Sequence, residues 1–219
     1  MTPGTTLVLL FGERRAPRAL AGLPSQGVAD SADSDALAAL DAAIGAHRRL
    51  IVVGADADLA AVLGRMLRAA RLDVEVGYVP GRRTAASRAY RMPVWGAARR
   101  ARRGTPRRVP LIRDETGSVI VGRASWLPPP DGQALHGEAV VDDTSLFDGD
   151  VAGVHIEPTL ATPGLRASLR AGVWPRWHAG RAAQLGCTGV TVVRDGVPAA
   201  RPARRSTFYR NIEGWLLVR

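Results

Sequence analysis

Apolar and polar positions fall into blocks along the first half of the chain. Thr6–Phe11 (TLVLLF) is a continuous apolar run closed by Gly12, as expected of a strand covered on both faces. A loop rich in Pro, Gly, Ser and Asp extends to Ser34. The spacing of Leu37, Leu40 and Ile44 then predicts a helix over 35–46, with Ser34 as its N-cap. Residues 50–53 (LIVV) read as a second buried strand ended by Gly54. Leu59, Val62, Leu63, Met66 and Leu67 next repeat at threes and fours, a helix that Asp56 or Asp58 can cap and whose far face carries Arg65, Arg68 and Arg71. A third strand over 74–79 stops at Pro80-Gly81. This succession is βαβ architecture and predicts a parallel sheet.

The pattern changes after a basic, helix-like segment at 96–103. Short runs at 109–112, 118–121, 139–141, 151–156, 190–193 and 215–218 are separated by Pro and Gly, and Asp114-Glu115-Thr116-Gly117 has the composition of a hairpin turn. The stretch 128–132 (PPPDG) reads as a turn or short linker. The expectation is an α/β domain over 1–94 and a β-rich, sandwich-like domain over 95–219. The last strand is a candidate to return to the first domain, and a ligand cleft is expected between the two. No internal repeat is visible.

Composition narrows the chemistry. The 219 residues carry 30 basic and 20 acidic side chains, a net charge of +10, and every basic residue is arginine. Without lysine there is no Schiff-base chemistry and no phosphate loop of the lysine-dependent kind. A GC-rich coding bias accounts for that absence, yet arginines bind phosphate and carboxylate whatever placed them there. The one cysteine, Cys187, excludes an internal disulfide and multi-cysteine metal sites. The first residues (MTPGTTLVLLFGERR) lack the basic start of a signal peptide, and no apolar run nears the ~20 residues of a membrane span. The expected location is cytoplasmic, with the inner membrane face as a peripheral alternative.

The most informative stretch runs from Ile51 to Pro93. Strand LIVV enters Gly54-Ala55-Asp56-Ala57-Asp58-Leu59, a helix and strand follow, and Pro80-Gly81-Arg82-Arg83-Thr84-Ala85 leads toward Met92-Pro93. This layout resembles the diacylglycerol kinase catalytic domain family, which shares its fold with sphingosine and NAD kinases. There a strand ends in Gly-Gly-Asp-Gly-Thr, and a loop with Gly-Thr-Gly-Asn-Asp opens a later helix. Further on, Arg108-Val109-Pro110-Leu111 stands where family members enter their β domain. Val190-Thr191-Val192-Val193-Arg194-Asp195-Gly196-Val197 is similar to the strand that enters the family's Asp-Gly-Glu motif.

The resemblance implies a two-domain fold and a nucleotide or phosphorylated-lipid ligand, with ATP and magnesium as cofactors of any phosphoryl transfer. It makes Asp56 and Asp195 the catalytic candidates, and Gly54, Asp58, Gly81, Arg82, Arg83 and Thr84 the ligand-binding ones. The departures are equally specific. Ala55, Ala57 and Asp58 replace the remaining residues of the first motif, Arg82, Arg83, Thr84 and Ala85 replace Thr, Gly, Asn and Asp of the second, and Val197 stands where the last acid belongs. Valine neither accepts a proton nor holds magnesium, so the resemblance implies the fold more strongly than the reaction. Asp56 has two readings, a surviving site acid at a strand end or a helix N-cap.

Arginine density is a second signal. From Arg65 to Arg108 there are 13 arginines and two acids, Asp73 and Glu75. Arg99, Arg100, Arg102, Arg103, Arg107 and Arg108 form the densest run. Such a patch attracts anionic lipid, a phosphorylated ligand or nucleic acid, with Tyr90 and Trp95 near enough in sequence to stack on bases. The bland alternative is a solvated basic helix face. His47, His136, His155 and His178 lack metal-ligand spacing, so no metal site is expected from them. Asp142-Asp143 reads as a strand-end turn, Cys187 as a packing residue, and Trp174 with Trp177 as a core anchor. A non-catalytic regulatory or scaffolding protein is the competing function.

Overall fold

The computed structural model describes residues 6–28, 34–170 and 175–219. The chain divides into two compact units, Met1–Val109 with Glu213–Arg219, and Pro110–Ile212.

In the first unit, β1 (Thr6–Phe11), β2 (Ser25–Val28), β3 (Arg49–Val53) and β4 (Glu75–Val79) are mutually parallel. Helices α1 (Ser34–Ala46) and α2 (Asp56–Arg68) connect them, followed by α3 (Ala85–Ala89), α4 (Ala97–Arg103) and β5 (Pro106–Val109). The strand Trp215–Val218 returns to this sheet, parallel to β4 and antiparallel to β5, which gives the order β2-β1-β3-β4-(215–218)-β5. Strand β3 is apolar throughout its core because both faces are covered: Leu50, Ile51 and Val52 are fully buried. Helix α2 buries Leu59, Val62, Leu63 and Met66, the residues its periodicity singled out. Arg65 on its other side forms a bidentate pair with Asp41 of α1.

The division at 94/95 suggested by composition falls inside this unit, and α4 gives the physical reason. Its sequence AARRARR places Ala97, Ala98 and Ala101 on one face, where they pack with Val8, Ile51, Val53 and Val79. Ala101 sits so close to β4 that a Cβ built on Gly77 would stand 2.7 Å from its own Cβ. Arg49 closes the end of this helix, donating to the carbonyls of Arg102 at 2.8 Å and Gly104 at 3.2 Å while pairing with Glu75. Trp215 is fully buried and meets Tyr90 edge-on, with ring centroids 5.2 Å apart.

The second unit is a large antiparallel sheet that folds back on its own core. Its strands are β6 (Ile112–Asp114), β7 (Val119–Ile120), β8 (Ala124–Leu127), β9 (Leu135–Val141), β10 (Thr144–Val151), β11 (Val154–Pro158), β12 (Leu165–Leu169), β13 (His178–Gly180), β14 (Ala182–Arg194), β15 (Val197–Pro198) and β16 (Ala203–Arg210). Strand β14 organises them. Its first part pairs with β9 and β16, and its last part, beyond an irregularity between Gly186 and Val190, pairs with β8. Trp126, Phe208, Ile112, Ile156 and Leu165 fill the interior, and Trp126 donates its indole N–H to Ser206 at 3.0 Å.

Two apolar runs of the sequence each divide between strands. Residues 109–112 split into the end of β5 and the start of β6, which lie in different sheets. Residues 151–156 span the end of β10 and the start of β11, with Gly153 at φ 130° between them. The turn from Asp114 to Gly117 does join an antiparallel pair, β6 and β7.

Candidate functional site

The turn from β3 into α2 is where the first unit brings candidate side chains together. Ala55 is the N-cap, Asp56 opens the helix, and Asp58 reaches back to accept the Ala55 amide at 2.7 Å. Asp58 also explains Gly54: a Cβ there would meet the Asp58 carboxylate at 2.6 Å. The glycine makes room for the helix cap. Arg14, from the loop after β1, places a guanidinium 3.4 Å from the same carboxylate.

Asp56 stands beside the N-cap but does other work. Its Oδ1 accepts from the Tyr78 hydroxyl at 2.9 Å, and its Oδ2 from the Ala86 amide at 3.0 Å. One carboxylate therefore ties the start of α2 to β4 and to the first turn of α3. Burial raises the Tyr78 pKa far above its ordinary value, with the Asp56 charge and hydrogen bond adding to it, so this hydroxyl stays protonated and donates. The sequence reading missed Tyr78; its position inside an apolar strand was the available signal.

The second loop follows β4. Thr84 caps α3, its Oγ1 accepting the Ser87 amide at 3.1 Å while Ser87 Oγ accepts the Thr84 amide at 2.8 Å. Gly81 has open space where a Cβ would stand, so no protein contact demands glycine there. Arg82, Arg83, Arg88 and Arg91 are exposed. None of the four guanidinium groups has a hydrogen-bond or ion-pair partner among the described residues.

Asp195 belongs to the second unit. It occupies a left-handed position (φ 48°) with Gly196 (φ 90°), in the two-residue turn joining β14 to β15. Its carboxylate accepts three backbone amides, Val121 at 2.9 Å, Gly122 at 2.7 Å and Arg123 at 2.9 Å. This acid clamps a loop. Val197, where the family's second acid would stand, is exposed.

The dense arginine run is only partly available to a ligand. Arg100 donates to the carbonyls of Pro93 and Trp95, Arg102 to those of Ala19 and Ala21, and Arg108 pairs with Glu213 at 2.8 Å. Arg99, Arg103 and Arg107 are exposed. Tyr90 is fully buried and cannot stack on a base, whereas Trp95 is 92% exposed.

Elsewhere the second unit holds acids in place with arginines. Asp114 is fully buried, pairs with Arg194, and accepts from the Thr116 and Ser118 amides at 2.9 Å. Glu157 lies between Arg123 and Arg166. Burial raises the Glu157 carboxyl, but hydrogen bonds and charge from both guanidinium groups outweigh that and leave it below the usual carboxylate range. Asp142 turns β9 into β10 and accepts the Arg181 and Ala182 amides. Cys187 packs half-buried against the core, where burial pushes its thiol up. Trp177 is half-buried under Arg166, with the guanidinium 4.2 Å from its ring centroid, and is not a core anchor; Trp174 lies outside the described residues. Among the described residues no three His, Cys, Asp or Glu side chains converge as metal ligands.

The two cofactors implied by the family layout fit these residues unequally. Magnesium finds no converging set of acids among the described residues: Asp58 is committed to the α2 cap, and each Asp56 oxygen already accepts from a donor of the chain. A phosphate also meets two carboxylates at the first turn of α2. It finds matching charge at Arg82 and Arg83, which are exposed and suited to bidentate contact.

No family model and no curated protein matches the sequence. Solved structures do match the fold. A diacylglycerol kinase from Bacillus anthracis str. Sterne superposes with a TM-score of 0.71 at 10% identity, covering 100% of this chain and 97% of that one. A second structure from the same organism gives 0.75, also at 10% identity, over 100% and 98%. An NAD kinase from Archaeoglobus fulgidus, solved in complex with ATP, gives 0.61 at 11% identity over 98% and 94%. The chain thus has the two-unit fold of the diacylglycerol kinase and NAD kinase group.

Proposed function

We propose that this chain is a divergent lipid-kinase-like protein that binds an anionic ligand, a nucleotide or a phosphorylated or anionic lipid, at the arginines after β4, and that its phosphoryl transfer is vestigial. One observation carries the reading: the two candidate acids are engaged by the chain's own donors, while the guanidinium groups of the arginines after β4 have no partner among the described residues. A base must reach the proton it removes. Drawing Asp56 toward a substrate hydroxyl would leave the Ala86 amide without its acceptor and the buried Tyr78 hydroxyl with only its longer contact to the Gly54 carbonyl at 3.3 Å. Arginine stays protonated, so Arg82 and Arg83 can offset phosphate charge but cannot replace the base.

The test has two arms. Transfer of labelled phosphate from ATP to diacylglycerol, sphingosine and NAD is expected at background level, unchanged by Asp56→Asn or Asp195→Asn. Robust turnover abolished by both substitutions overturns the vestigial part. Thermal stabilisation by ATP, NAD, acidic phospholipid and short oligonucleotides reads the binding part, and Arg82→Gln with Arg83→Gln is expected to remove the shift from phosphate-bearing ligands. No shift with any of them favours a scaffolding role.

A further inference from the structure

A basin of about 640 Å3 lies on the surface of the first unit, lined by Arg83, Arg88, Arg91, Met92, Val94 and Trp95 among others. Among the described residues, no acidic one lines it. Its three arginines are exposed and Trp95 is 92% exposed, the most exposed of the tryptophans described. This is not a loose loop. Arg91 turns the chain with a left-handed φ of 51° immediately after α3, and Arg100 of α4 binds the carbonyls of both Pro93 and Trp95. The protein thus uses one arginine to hold an indole ring out in water.

We infer that this basin is a docking surface for an anionic phospholipid bilayer, with Trp95 at headgroup depth and Arg83, Arg88 and Arg91 on lipid phosphates. Tryptophan is suited to that boundary because its large apolar ring carries a polar N–H. Met92 and Val94, half-buried beside it, extend the apolar surface. The arginines can lay their aliphatic stems on it while their guanidinium groups reach phosphate. A nucleic acid offers phosphate too, but single-strand platforms stack several bases on aromatic rings. Here Trp95 is the one aromatic among the described residues lining the basin, and Tyr90 is fully buried.

The inference deepens the proposed anionic-ligand reading and rests on it, naming the bilayer as what these arginines meet. It also moves the docking face away from α4 and β5, where Arg100, Arg102 and Arg108 are engaged within the protein.

Co-sedimentation of the full chain with vesicles tests it, comparing phosphatidylcholine alone with equal parts phosphatidylcholine and phosphatidylglycerol. Each arginine near an anionic surface contributes about 1 kcal/mol, so changing Arg83, Arg88 and Arg91 together to glutamine is expected to weaken binding to the mixed vesicles on the order of 100-fold. Trp95→Ala is expected to weaken it about tenfold with its charge unchanged. Glutamine at Arg99, Arg103 and Arg107 removes the same charge elsewhere and is expected to have a much smaller effect.

Equal losses from the two triple variants would mean that net charge alone drives binding, and would overturn the basin. Absence of vesicle binding at low salt overturns it as well. So does an oligonucleotide that binds at the same salt with the same dependence on Trp95. If vesicles fail while ATP still shifts the melting temperature, only the docking surface falls; if both fail, the anionic-ligand reading falls with it.

Discussion

The segment 82–91 and the segment 99–108 both look, in the sequence, like anionic-ligand patches. In the first, Arg82, Arg83, Arg88 and Arg91 are exposed, and their guanidinium groups have no partner among the described residues. In the second, Arg100 and Arg102 bond carbonyl groups of the 93–95 and 19–21 turns, and Arg108 pairs with Glu213. The difference is one of scaffolding. Helix α4 packs through small alanines, so its long side chains must reach past them to satisfy neighbouring turns. The arginines of 82–91 lie on and around a five-residue helix that already caps itself through Thr84 and Ser87. Charge density alone does not say which guanidinium groups are available.

Substitutions can break or sharpen this contrast. The largest effect is expected where an arginine holds a buried acid. Arg194→Met leaves Asp114, fully buried, without its charged partner and should cost about 3–5 kcal/mol in urea unfolding, because an unpaired buried carboxylate is expensive. Arg100→Gln should cost about 1 kcal/mol through its lost carbonyl bonds, and raise amide exchange across residues 93–95.

Acid should then weaken the second unit in a defined direction. Glu157 has a lower pKa in the fold than in the unfolded chain, so its contribution is complete above the ordinary carboxylate range and is lost as pH falls through its folded value. Glu157→Gln should flatten that part of the stability–pH curve, measured by thermal melts from neutral pH downward. The smallest change in stability, within about 0.5 kcal/mol, is expected for glutamine at Arg83, Arg88 and Arg91 together, since no protein contact is lost. A large loss in that variant would show that these arginines are structural after all.

Much of the first unit was legible because its signals are local. The LIVV run, the threes-and-fours spacing of α2 and the placement of Asp56 beside the cap all follow from neighbours within a few residues. What escaped depends on partners far along the chain. Asp56 is fixed by Tyr78 and Ala86, 22 and 30 positions away, and Asp195 by amides 72 to 74 positions away. A carboxylate named as a site by its motif can therefore be a clasp in the fold. The first unit runs past 94/95 because AARRARR, which reads as a charged segment, docks on β4 through its three alanines.

The strand Trp215–Val218 lies between β4 and β5 and is separated from β5 by the whole of the second unit in sequence. On the ribosome, β4 and β5 therefore emerge with facing edges that have no strand to pair with until more than a hundred further residues, Pro110–Ile212, have been made. For that interval the free edge of β4 is an open template for strands of other chains.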